Sequence, residues 1–231
     1  MRRLAAILLL GPLLGAGRAA FHSQEFLDQG VFVVVRDGEE IGREEFAIRP
    51  VAGARGEGGV LAVSTVRYRD RELKAALELT GSHVPVSYQL DVTASGRLVQ
   101  RLTGQFGRDR FSVRIVTPAR EIAREFPVPA SAVVLDDDAY EQYYFLPRPQ
   151  SGSVSISVVR PRESALVPAE VRSLGQDTIT LGARSVAAEH YVLRLSGEDS
   201  REFWFSLSGD LLRVALPGNA LTVTRLSLPG R

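Results

Sequence analysis

Arg110-Phe111-Ser112-Val113-Arg114-Ile115-Val116 decides the fold class of this chain. Phe111, Val113 and Ile115 stand two apart with Arg110, Ser112 and Arg114 in the gaps, so apolar and polar side chains leave opposite faces of a strand. One face suits a core and the other suits water, which is the signature of a half-buried antiparallel sheet. The same period extends upstream. Val86, Tyr88, Leu90 and Val92 oppose Ser87, Gln89 and Asp91, while Leu73, Ala75, Leu77 and Leu79 oppose Lys74 and Glu78. Phe46 and Ile48 oppose Arg43, Glu45 and Arg49, and Leu98, Leu102 and Phe106 are placed on the apolar face against Arg97, Arg101 and Gln105.

Turn residues punctuate these runs at Asp37-Gly38, Arg69-Asp70-Arg71, Ser95-Gly96, Gly107-Arg108-Asp109, Leu174-Gly175-Gln176, Gly197-Glu198-Asp199 and Ser208-Gly209-Asp210. Their spacing predicts about fourteen strands between Gly30 and Leu226, joined mainly as consecutive hairpins. The expected fold is all-β and mostly antiparallel: an up-and-down meander forming a curved sheet, a half-barrel or two packed sheets. Gly53 to Gly59 reads as a loop tip between two strands.

One segment breaks the period of two. Asp136-Asp137-Asp138-Ala139-Tyr140-Glu141-Gln142-Tyr143-Tyr144-Phe145-Leu146, closed by Pro147, reads as the single helix, near 136–146, with its acidic start capping free N–H groups. Tyr140, Tyr143, Tyr144 and Leu146 would share one face. The expected organisation is a leader over 1–20, an antiparallel β region over 21–146 ending in the helix, a linker-like 147–153, and further antiparallel strands over 154–231 that belong to the same domain.

The leader reading rests on Met1-Arg2-Arg3, the apolar stretch from Leu4 to Leu14 and the small-x-small pattern Gly17-Arg18-Ala19. A retained membrane anchor needs about 20 apolar residues, and this run is roughly half that. The expectation is cleavage and export to the periplasm or the extracellular space, with no transmembrane segment after leader removal. Loss of Arg2, Arg3 and Arg18 takes the formal charge from +1 to about −2, too small for a field that gathers nucleic acid.

Among 231 residues, 45% hydrophobic and 24% charged, there is no cysteine, which excludes disulfides, thiolate catalysis and cysteine-ligated metals. Three histidines, His22, His83 and His190, show no metal-ligand spacing, and neither a G-x-S-x-G elbow nor an S-x-x-K pair occurs. The run Asp136 to Asp138 lacks the alternating oxygens and mid-loop glycine of a calcium loop. No catalytic residue, metal or cofactor is expected; a hydrolase with dispersed carboxylates would need two acids that meet in a cleft. Outward arginines, among them Arg67, Arg101, Arg110 and Arg114, read as cross-strand partners of Glu72, Asp91, Glu121 and Glu125.

Tyr88, Phe106, Phe111 and Phe126 point inward with Phe203 and Phe205, and Tyr140 and Tyr143 come from the helix. In a packed sheet they are core; in a strongly curved one, Tyr88, Phe106, Phe111, Phe126, Tyr140 and Tyr143 would line a cavity for a lipophilic ligand. Trp204, between Phe203 and Phe205, must face the other way, where a second packed sheet or a partner would cover it.

Asp37-Gly38-Glu39-Glu40-Ile41-Gly42 resembles the opening D-G-x-x-I-G hairpin of exported bacterial proteins of unknown function. Leader, meander and single helix are also similar to the envelope lipoprotein-carrier superfamily, whose antiparallel half-barrel encloses an apolar cavity beneath several helices. That resemblance implies carriage of a hydrophobic ligand; the single helix and the larger number of strands depart from it, and no carrier residue transfers by motif. Two functions follow as expectations. One is a non-enzymatic periplasmic or secreted protein that binds a lipid or lipophilic molecule on a concave apolar face, with 136–146 as lid or plug. The other is an envelope scaffold or assembly protein that acts through contacts with a protein partner.

Overall fold

The computed structural model of the protein describes residues 26–52 and 58–228. The leader over 1–20 lies outside the described residues, as does most of the Gly53–Gly59 loop, whose last two glycines open a strand instead. The strands are β1 Asp28–Arg36, β2 Glu39–Ala52, β3 Gly58–Tyr68, β4 Arg71–Thr80, β5 Pro85–Ala94, β6 Arg97–Phe106, β7 Arg110–Val116 and β8 Glu121–Pro127. They continue as β9 Val133–Val134, β10 Ser153–Arg160, β11 Ala165–Leu181, β12 Arg184–Leu195, β13 Arg201–Ser206, β14 Leu211–Leu216 and β15 Leu221–Arg225. Three short 3-10 turns, Tyr140–Phe145, Pro161–Glu163 and Pro217–Asn219, interrupt them.

All fifteen strands belong to one curved sheet, ordered β8-β7-β6-β5-β4-β3-β2-β1-β15-β14-β13-β12-β11-β10-β9. Two meanders thus run away from a shared seam, where β1 pairs antiparallel with β15. Every other neighbouring pair is antiparallel except β9 and β10, which are parallel through Val133 and Val134. The 3-10 turn after β10 touches β6, so the two arms of the sheet curl toward each other.

The expected all-β antiparallel meander is what the chain forms, and the alternation explains why. On β7, Phe111, Val113 and Ile115 are buried and Arg110, Ser112 and Arg114 are exposed. Outward charges pair across strands, Arg101 with Asp91 at 2.7 Å and Arg114 with Glu121 at 2.7 Å. Asp37 and Gly38 both take positive φ, 52° and 84°, which is the primed turn that matches strand twist in a two-residue hairpin.

Bulges account for the places where the period of two fails. A register shift at Val92/Thr93 flips the start of β6, leaving Leu98 44% exposed and bringing Val99 against the core. On the other arm, Leu174-Gly175-Gln176, expected as a turn, is a bulge inside β11, and its shift at Ser173/Gly175 acts together with one at Trp204/Phe205. They turn Ile179, Leu181 and Leu212 to the outer face, where with Ala188 they bury Trp204. The cover over Trp204 therefore comes from strands of the same sheet, not from a second sheet.

At the seam, Arg225 Nη2 and Nη1 donate to Asp28 Oδ1 and Oδ2 at 2.7 and 3.0 Å. Arg225 Nη1 also donates to the Leu211 carbonyl at 3.0 Å, and the guanidinium lies 5.3 Å from the centre of the Phe46 ring. Both charged side chains are fully buried. Burial pushes the Asp28 carboxyl up in spite of the arginine, as expected when desolvation rivals the attraction. Gly30 makes room for this pair, since a Cβ there would lie 2.9 Å from Arg225 Nη2.

Arg225→Met leaves a buried aspartate without its cation and should cost ~3–5 kcal/mol, whereas Asp28→Leu combined with Arg225→Met should recover much of that loss. Urea denaturation of the two variants and the parent reads the difference directly.

Candidate functional site: a plug in a charged collar

Between β9 and β10 the chain leaves the sheet edge and enters its inner face. The segment expected as a helix over 136–146 is a 3-10 turn, Tyr140–Phe145. Three residues per turn align Tyr140, Tyr143 and Leu146, all of them buried, while Tyr144 is only half-buried. The acidic residues do not cap it: Ala139 occupies the cap position and no side chain bonds there.

Asp136, Asp137 and Asp138 instead bind side chains of the surrounding strands. Asp136 accepts from Tyr88 Oη on β5 at 2.8 Å and from Arg162 Nε at 2.7 Å, and its own N–H donates to Gln142 Oε1 at 2.7 Å. Asp137 accepts from Arg160 Nη2 on β10 at 2.7 Å and Arg201 Nη1 on β13 at 3.4 Å. Asp138 accepts from Tyr68 Oη on β3 at 2.7 Å and Arg71 Nη2 on β4 at 3.2 Å. A collar of charge thus ties the plug to both arms of the sheet.

Inside the collar the contacts become aromatic. Tyr140 and Tyr68 hydroxyls are 3.1 Å apart, Arg201 Nη1 donates to Tyr143 Oη at 3.3 Å, and the Tyr143 ring packs edge-on against Phe203. Phe145 meets His83 and Tyr144 edge-on. At the rim, a cleft of about 210 Å³ opens between Arg36, Arg71, the three aspartates and Arg201, with Tyr140 and Tyr143 in its wall.

Burial is the largest electrostatic cause at Asp136, Tyr88, Tyr140 and Tyr143. It pushes the Asp136 carboxyl up against the opposing pull of Arg162 and Tyr88. It also raises the hydroxyls of Tyr88, Tyr140 and Tyr143, so all three are neutral donors or acceptors. Burial works against the Arg162 and Arg201 cations, yet Asp136 beside the first and Tyr143 with Asp137 beside the second hold them above the ordinary guanidinium value.

Of the six aromatic candidates, Tyr88, Tyr140 and Tyr143 come together at the plug. Phe106, Phe111 and Phe126 form a cluster of their own on β6, β7 and β8, with ring centres 4.4 and 5.6 Å apart and Phe111 seated over Gly104. Among the described residues no group of three His, Asp or Glu side chains is placed to hold a metal ion. His83 sits in the β4–β5 turn, and His190 stacks on Trp204 at 4.2 Å with Nε2 2.9 Å from Glu202. No helix among the described residues is long and apolar enough to cross a membrane.

Two residues that reading the sequence missed are Glu44 and Glu141, buried completely beneath the collar. A signal for Glu44 was present. The alternation that turns Phe46 and Ile48 inward turns Glu44 inward too, and a lone carboxylate on an apolar face is the informative exception.

Arg162→Met would strand Asp136 without its cation and should destabilise the fold by ~3–5 kcal/mol. Tyr88→Phe removes one donor from the same carboxylate and should cost about 1–3 kcal/mol. Thermal or urea unfolding of both variants checks the ranking.

No family model matches the chain, and no curated protein matches it. Among solved structures the chain is similar to a β-barrel-like protein of a domain of unknown function, DUF1849, from Brucella abortus, with a TM-score of 0.48 and 10% identity over 85% of this chain and 93% of that one.

Proposed function

We propose that this chain is an exported, non-enzymatic binding protein that takes up a lipophilic molecule on the inner face of its sheet, with Asp136–Leu146 as a plug that yields to the ligand. The observation that carries this reading is how the plug is held. It covers an aromatic wall that includes Phe203 and Phe205, but it joins no strand ladder, and its anchors are side-chain ion pairs at the rim. Such a segment can leave without breaking any strand pairing, so a ligand could replace it while the sheet stays intact. Tyr140 and Tyr143 then act as stand-ins for the ligand, while Tyr88, Phe106, Phe111 and Phe126 belong to the wall it would meet. The leader read at Met1 to Ala20 supplies the export.

A second reading, an envelope protein that docks a protein partner, is favoured by one feature of the outer surface. Leu207 and Leu226 are 64% and 52% exposed beside a groove of about 850 Å³ that Leu181, Val186 and Leu228 also line. The two readings separate in one experiment. Native mass spectrometry of the mature protein, purified gently from its own envelope, should show a stoichiometric lipophilic mass that denaturation releases. A clean unliganded mass that persists when Arg160→Ala loosens the collar would overturn the carrier reading and favour partner docking.

A further inference from the structure

We infer that Glu44 and Glu141 share a single proton beneath the plug, and that this proton is the bound species on which the seating of the plug depends. The inference concerns the plug and its socket, and stands whichever ligand or partner the protein serves.

Glu44 projects from β2 and Glu141 from the plug, and neither is accessible to solvent. The Tyr140 N–H donates to Glu44 Oε1 at 3.1 Å, and the Glu141 N–H and the Ser64 hydroxyl approach the pair more loosely, a pull toward charge that burial outweighs. Glu44 Oε2, both oxygens of Glu141 and the nearby Ser64 Oγ on β3 are buried with no partner at full hydrogen-bond geometry. No arginine or lysine forms an ion pair with either acid among the described residues. The neighbouring cations are engaged elsewhere: Arg162 with Asp136 and Asp138, Arg71 with Asp138, and Arg160 and Arg201 with Asp137 and Glu198.

Two bare carboxylates in this setting would face each other, with Asp136 adding a third negative charge and with the neutral hydroxyls of Tyr88, Tyr140 and Ser64 around them. Buried like charges at contact do not both ionise, and one proton converts the clash into a charge-assisted O–H···O bond. Glu44 Oε1 already accepts the Tyr140 amide, so Glu44 Oε2 and the two Glu141 oxygens are the atoms left to hold the shared proton. Burial pushes both carboxyls up, and the adjacent Glu141 charge adds to the rise at Glu44, which lies well above the usual glutamate range.

Above the ordinary glutamate range the unfolded chain has released this proton and the folded chain has kept it, so folding is favoured by acid. The contribution is full below that range and falls as pH rises, by up to tenfold in the unfolding equilibrium per pH unit until the folded protein also lets the proton go. Where the proton leaves, two facing charges remain under the plug, and the plug is what moves.

Infrared difference spectroscopy of the full mature chain at neutral pH tests the pair directly. The carboxylic-acid carbonyl band of the folded wild type should lose one buried component in Glu44→Gln. Glu141→Gln, whose amide can donate to Glu44 in place of the proton, should lose the same component and serves if the first variant does not fold. Urea titrations between pH 5 and 9 should show a stability slope in the wild type that either substitution flattens. A band and a slope that both substitutions leave unchanged would overturn the inference, because both acids would then be ionised in the folded protein.

Discussion

The Asp28–Arg225 pair is the point on which the architecture turns. Each arm of the sheet is a simple meander whose strands pair with their sequence neighbours, and such arms need only local turns to form. What makes one sheet of them is the β1–β15 seam, and the buried guanidinium ties β1, the start of β14 and the end of β15 at that line. Its net effect on stability is modest, because desolvating two ions offsets most of their attraction. Its effect on geometry is large: a bidentate arginine that also donates to the backbone carbonyls of Gln29 and Leu211 fixes one register between the first and last strands.

With the seam closed, the curved sheet has an inner face to cover. Phe32, Phe46, Tyr88 and Phe203 are among the side chains that fill it, and the plug supplies the rest. The plug combines two kinds of attachment. Its aromatic residues bury surface without direction, while its aspartates meet tyrosines and arginines from five strands and a short turn, which sets its depth and rotation. An apolar segment alone would fill the space but would leave its position loosely specified.

Much of the sheet was legible in the sequence because a half-buried strand writes its orientation into every second residue. Phe111, Val113 and Ile115 sit where the alternation puts them, and Asp37-Gly38 turns as its φ requirements demand. What escaped was long-range. The bulge that exposes Leu98, and the pair that turn Ile179, Leu181 and Leu212 to the outer face beside Trp204, depend on how neighbouring strands curve, and no residue type announces them. The aspartates at 136 to 138 illustrate the same limit. Locally they look like helix caps, but arginines from β4, β10 and β13, distant in sequence, compete for them and win. The site was half legible: Tyr88, Tyr140 and Tyr143 converge, whereas Glu44 met Glu141 only because the fold brings positions 44 and 141 together.

The seam also has a consequence for the order in which the chain can fold. Asp28 and Arg225 are 197 positions apart, so the contact that closes the sheet is among the last that a growing chain can make. Until β15 arrives, β1 stands as an open edge, and its Val31-Phe32-Val33-Val34-Val35 is an uncharged run of four valines and a phenylalanine. Folding is therefore a race between the delivery of the last five-residue strand and the recruitment of any other strand to that edge, and the interval between them is when this protein is most exposed to aggregation.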